Sequence, residues 1–113
     1  MKTIWKFPLE TTDLQTIVMP EGAEFLTLQV QAGEPALWAL VDDEAPKQQR
    51  TFATYGTGRP VRDMAKRQAG EQQTYIGTYQ LDAGALVWHV FEITITIDWR
   101  NIRGRIGAED TEK

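Results

Sequence analysis

Alternation of apolar and polar residues with a period of two runs through nearly every segment of this chain, and it excludes more folds than any other feature. In "EFLTLQVQA", Leu26, Leu28 and Val30 share one face while Thr27, Gln29 and Gln31 share the other. Successive strand residues point to opposite sides of a sheet, so this is the pattern of a half-buried strand. "GEP" at 33–35 reads as a three-residue connection into "ALWALVD", a second strand apolar on both faces, and the two predict a hairpin. "TIWKFPL" and "LQTIVMP" are strands ended by prolines, "QQRTFATY" resumes extension after "DDEAPK", and "QTYIGTYQL" adds a strand in which Gly77 marks a bulge or a close backbone approach. After the turn signal "DAG" comes the longest run, "ALVWHVFEITITID". Up to Phe91 both its faces are apolar, as in a central strand covered on both sides. From Glu92 onward Ile93, Ile95 and Ile97 alternate with Thr94, Thr96 and Asp98, so the strand is expected to leave the core there.

About seven strands with one short helix predict an all-β fold, a small antiparallel β-sandwich or barrel. The helix is expected over residues 60–69, where Pro60 suits the first position, Met64 and Ala65 favour helix, and Gly70 suits the stop. At 113 residues, of which 42% are hydrophobic, the chain supports one domain with a modest core. Residues 1–106 are read as that domain and 107–113 as a flexible acidic tail. With no cysteine there is neither a disulfide framework nor a thiolate metal site. No apolar run approaches the roughly 18 residues of a membrane span, so a soluble, unsecreted protein without a membrane partner is expected. The net charge of −4 is too mild for a mimic of a nucleic-acid backbone, and no feature predicts sequence-specific nucleic-acid binding. An isoleucine face running out of a small domain needs a cover. Either "WRNIRGRIG" folds back on it or another subunit does, and the expectation is a homo-oligomer joined through Ile93, Ile95 and Ile97.

Chemistry concentrates in "GTGRPVRDMAKRQAG", where Arg59, Arg62, Lys66 and Arg67 face Asp63 alone. On a helix Arg59, Arg62 and Lys66 fall on one side, and the helix start after "GTG" would favour an anion. Gly56 and Gly58 would let a phosphate approach the backbone, while the spacing of a nucleotide-hydrolase loop is missing. Tyr55 and Tyr75 close the two ends of the stretch and offer rings for stacking a base. The candidate ligand site is therefore Tyr55, Gly56, Thr57, Gly58, Arg59, Arg62, Lys66 and Tyr75. The alternative is a solvated connector whose cations only aid solubility. His89, the single histidine, shares odd numbering with Val87, Phe91 and Ile93 and is read as a core residue without a catalytic partner. Trp38 and Trp88 are likewise read as core. Asp42, Asp43 and Glu44 lack the spacing of a calcium loop, so no metal or other cofactor is expected.

The phrases "IWKFPL", "MPEGAEFLTLQVQ", "PALWALVDDEAP", "RTF", "GTGRP", "YIGTYQ" and "GALVWHVFE" together resemble a family of small phage and prophage proteins of unknown function, over about residues 4–92. The segment between "GTG" and "YIGT" is long for that family, and "ITITIDWRNIRGRIG" extends beyond it. The resemblance implies a phage or prophage origin and action in the host bacterial cytoplasm. A small accessory protein without a catalytic constellation works by binding. One expectation is a counter-defence protein that sequesters a nucleotide-derived immune signal or blocks a host defence protein. Another is a virion or assembly component that oligomerises through its isoleucine face. A small phosphoester hydrolase ranks last, since no general base or metal cluster is apparent.

Overall fold

The computed structural model describes residues 1–61 and 70–95. They form seven strands: β1 (Lys2–Pro8), β2 (Leu14–Pro20), β3 (Glu24–Gln31), β4 (Glu34–Asp42), β5 (Lys47–Gly56), β6 (Glu71–Leu81) and β7 (Leu86–Ile95). All pairings are antiparallel. One sheet has the order β1-β4-β3 and the other β2-β5-β7-β6. Their facing sides close over Phe7, Leu37, Ala39 and Val41 from the first sheet and Met19, Phe52, Tyr79 and Val90 from the second. The all-β, seven-strand expectation holds. Of the expected helix, Pro60 and Val61 are not helical, and 62–69 lies outside the described residues, as do Ile97 and the acidic tail.

The β3–β4 hairpin turns on two residues, not on "GEP" at 33–35. Ala32 and Gly33 have φ of 52° and 80°, and Gln31 lies opposite Glu34. Two successive positive φ values give the turn whose twist matches the flanking strands, so Pro35 is free to sit inside β4. The alternation in β3 also misleads. A bulge between Phe25 and Thr27 leaves Leu26 unpaired and 52% exposed, and Phe25 and Leu28 face the core instead. In β6 Gly77 combines both expected roles. Its register shifts after Tyr75, and a Cβ on it would stand 3.1 Å from Leu28 of the opposite sheet. Glycine there lets β3 and β6 approach.

Glu92 does not mark an exit from the core. It is buried, and its carboxylate receives Arg50 Nε at 2.5 Å and Nη2 at 2.7 Å. Arg50 Nη1 also donates to the Ala23 carbonyl at 2.7 Å, and the guanidinium lies 4.3 Å from the Phe25 ring centre. One arginine of β5 thus joins β7 to the start of β3 across the two layers. The even residues Trp88, Val90 and Glu92 therefore face inward, with Trp88 packed on the core as expected. The odd residues His89, Phe91, Ile93 and Ile95 lie on the outer side of the four-stranded sheet. Trp38, read as core, is half-buried on the outer side of the other sheet, with Lys6 Nζ 5.8 Å from its ring.

Candidate functional site

β5 outlasts its neighbour β2. Leu14 is the last paired residue of β2, opposite Ala53, and Asp13 still accepts the Thr54 amide at 3.1 Å. Beyond that point the pairing of β2 with β5 ends, and the chain folds into a tight turn at "GTGR". Arg59 N donates to Gly56 O at 3.0 Å, and Gly58 has φ of 83°. A four-residue turn with positive φ only at its third residue needs glycine there. Gly56 is required for another reason. A Cβ on it would meet the Trp88 ring at 3.2 Å and Arg59 Cγ at 3.4 Å. The indole and the arginine stem both pack on the Gly56 backbone, which is not the open phosphate seat expected from the glycine spacing.

Between this edge and the turn lies an open groove of about 650 Å³, whose lining includes Asp13, Thr54, Tyr55, Gly56, Arg59 and Trp88. That volume is in the range of small-molecule sites. Two features of its wall are unusual. Thr54 Oγ1 and Trp88 Nε1 are both buried without a hydrogen-bond partner among the described residues. Such a group costs about 1–3 kcal/mol when left unsatisfied. Arg59 is exposed and makes no ion pair among the described residues, and Asp13 adds one exposed carboxylate. The lining of the groove therefore combines a cation, an anion, a threonine and an indole.

Of the residues expected from sequence, Tyr55, Gly56 and Arg59 line the groove, whereas Thr57, Gly58 and Tyr75 do not. Arg62 and Lys66 lie outside the described residues. Asp13, Thr54 and Trp88 were missed. Only the pairing of β2 with β5 brings Asp13 to the Gly56 turn, and no local pattern carries that information.

Tyr75 belongs to a second array on the outer side of the four-stranded sheet. Tyr55 and Tyr75 flank Phe91 edge-on, with ring centres 5.7 and 5.5 Å away. The Tyr55 hydroxyl donates to Gln73 Oε1 at 2.9 Å. His89 is not a core residue: it is half-buried, with Nε2 2.7 Å from Thr57 Oγ1 and Nδ1 3.0 Å from Thr78 Oγ1. Thr78 Oγ1 in turn bonds the Tyr75 hydroxyl. Of the expected oligomer face, Ile93 is half-buried and Ile95 is 53% exposed. The carboxylates of Asp42 and Asp43 lie 3.3 and 3.1 Å from the Met1 ammonium. The Asp42 carboxyl is held below its usual range first by the Glu44 amide and then by that ammonium.

Among the described residues no helix is long and apolar enough to cross a membrane. No curated protein and no solved structure matches the chain. A family model does: it spans residues 1–97, both sheets and the whole groove, so the chain belongs to the family of the domain of unknown function DUF7352.

Proposed function

We propose that the protein is a non-enzymatic accessory binding protein that captures a nucleotide-like anion in the groove beside the Gly56–Arg59 turn. One observation carries this reading: an exposed guanidinium lines the groove together with two residues whose buried polar groups lack partners among the described residues. A phosphate would pair with Arg59, and a ring with an acceptor nitrogen and an exocyclic amine would answer Trp88 or Thr54 on one side and Asp13 on the other. Trp88 supplies aromatic surface for the same ring. Given the resemblance to phage and prophage proteins, the biological use we propose is counter-defence in the host bacterial cytoplasm. The protein would sequester a nucleotide-derived immune signal or block a host defence protein.

Calorimetry with a panel of cyclic and linear nucleotides tests the binding. A charge-assisted contact contributes about 1.5–3 kcal/mol, so Arg59→Ala is expected to weaken the best ligand by about ten- to a hundredfold. Absence of binding heat with every nucleotide would overturn the ligand reading. A second reading, a virion or assembly component built from copies of the chain, draws on the outer side of the four-stranded sheet. There Leu14, Val18 and Ile95 are each more than half exposed. A fixed copy number in purified virions, with an oligomer by light scattering, would favour it.

A further inference from the structure

Past the end of β5 the hydrogen bonds that tie the Gly56–Arg59 turn to the sheet, among the described residues, both pass through Thr57. Its amide donates to the Val87 carbonyl at 3.2 Å, and its hydroxyl meets His89 Nε2 at 2.7 Å. Among the described residues nothing lies within 4 Å of where a Gly58 side chain would begin. His89 is itself held from behind. Thr78 fixes Nδ1, and Tyr75 fixes Thr78. The bulge in β6 makes this possible, because the extra residue between Tyr75 and Gly77 turns Tyr75 and Thr78 to the same side, three positions apart. A threonine hydroxyl donates or accepts, so the chain Tyr75–Thr78–His89–Thr57 remains satisfied whichever ring nitrogen carries the proton.

From this geometry we infer that His89 is a positioning residue, whose imidazole latches Thr57 and thereby sets the turn that presents Arg59 to the groove. The ring spans β7 from Thr78 of β6 to the turn after β5, a distance no single hydroxyl covers. The importance of the latch for a ligand rests on the groove reading above. The latch itself does not, and it is tested without any ligand.

Amide hydrogen exchange, followed residue by residue by NMR, reports it directly. The Arg59 and Thr57 amides read the turn, and those of Phe52 and Val90 read global opening. His89→Asn keeps a polar atom near the Nδ1 position and loses the reach to Thr57, whereas His89→Gln extends to the Nε2 position. Loss of one side-chain hydrogen bond is expected to speed exchange at Arg59 and Thr57 by roughly two- to tenfold in His89→Asn and in Thr57→Val, with the core amides unchanged. His89→Gln is expected to restore slow exchange. Exchange at Arg59 and Thr57 unchanged in both His89→Asn and Thr57→Val would overturn the latch. So would acceleration that is uniform over turn and core, since that is loss of global stability alone. Nucleotide calorimetry on the wild type decides the groove separately. A silent groove with a loosened turn in His89→Asn refutes the ligand and leaves the latch standing.

Discussion

Removing the Glu92 carboxylate strands the Arg50 guanidinium between the sheets. The side chains are only 18% and 9% exposed, and the pair is bidentate, with a third bond from Arg50 to the Ala23 carbonyl. Charges this enclosed recover little solvation when their partner is lost, and breaking such a pair costs about 3–5 kcal/mol. Glu92→Ala and Arg50→Ala are each expected to fall in that range, the second also losing the stacking on Phe25. Replacing both partners, as Arg50→Met with Glu92→Leu, removes the desolvation cost along with the attraction. The double variant should lie within about 2 kcal/mol of wild type, mainly for the orphaned Ala23 carbonyl. The assay is urea unfolding followed by tryptophan fluorescence. With a slope of about 1.3 kcal/mol per M, each single substitution should lower the midpoint by about 2 to 4 M. With the matching single variants Arg50→Met and Glu92→Leu each costing about 3 kcal/mol or more, the cycle should give a coupling of about 4 kcal/mol or more in magnitude. If Glu92→Ala cost only about 0.5 kcal/mol, the pair would be behaving as an exposed one, and the claim that it clamps the two layers would be wrong.

Three further outcomes are expected. Gly77→Ala should destabilise by about 1–3 kcal/mol in thermal unfolding, because the added methyl meets Leu28 at 3.1 Å, and Leu28→Ala in the same chain should relieve part of the clash. Ala32→Asn should stabilise by roughly 0.5–1 kcal/mol, since alanine holds φ of 52° in a turn that asparagine adopts readily; an unchanged or lower midpoint counts against the turn geometry. Burial, opposed by the bond to Thr11, raises the Tyr79 phenol above its ordinary 10.0. Its contribution to stability is therefore complete below pH 10 and is lost as pH rises through the folded-state value, so Tyr79→Phe should flatten unfolding midpoints measured across that window.

Strand positions were legible because alternation, prolines and glycines act locally. The two prolines closing β1 and β2 and the "DAG" turn needed nothing beyond their neighbours. Which side of β7 faces inward was not legible, since Trp88, Val90 and Glu92 and their odd-numbered neighbours are both largely apolar. The deciding fact is Arg50, which makes a buried glutamate tolerable and lies in another strand. The same limit applies to Leu26, whose bulge shifts the phase of β3 by one residue. In the groove, Gly56 and Arg59 stand out in the sequence as an anion site, but Asp13 and Trp88 join them only through the pairing of distant strands. The role of Gly56 was misjudged because a glycine that seats an indole and a glycine that seats a phosphate read alike in sequence.

The pairing order has a consequence for synthesis. The β3–β4 and β6–β7 hairpins close locally, but among the described residues β1 pairs only with β4, with Lys2 opposite Asp42, and β2 only with β5, with Leu14 opposite Ala53. β5 must in turn await β7, where Thr51 meets Ile93. Chains dominated by such distant pairings fold in milliseconds to seconds once complete. On a ribosome adding about 5–20 residues per second, the first two strands emerge several seconds before anything can pair with them. During that interval their unpaired edges, with the Ile4, Leu14 and Val18 side chains beside them, stand open to other nascent chains.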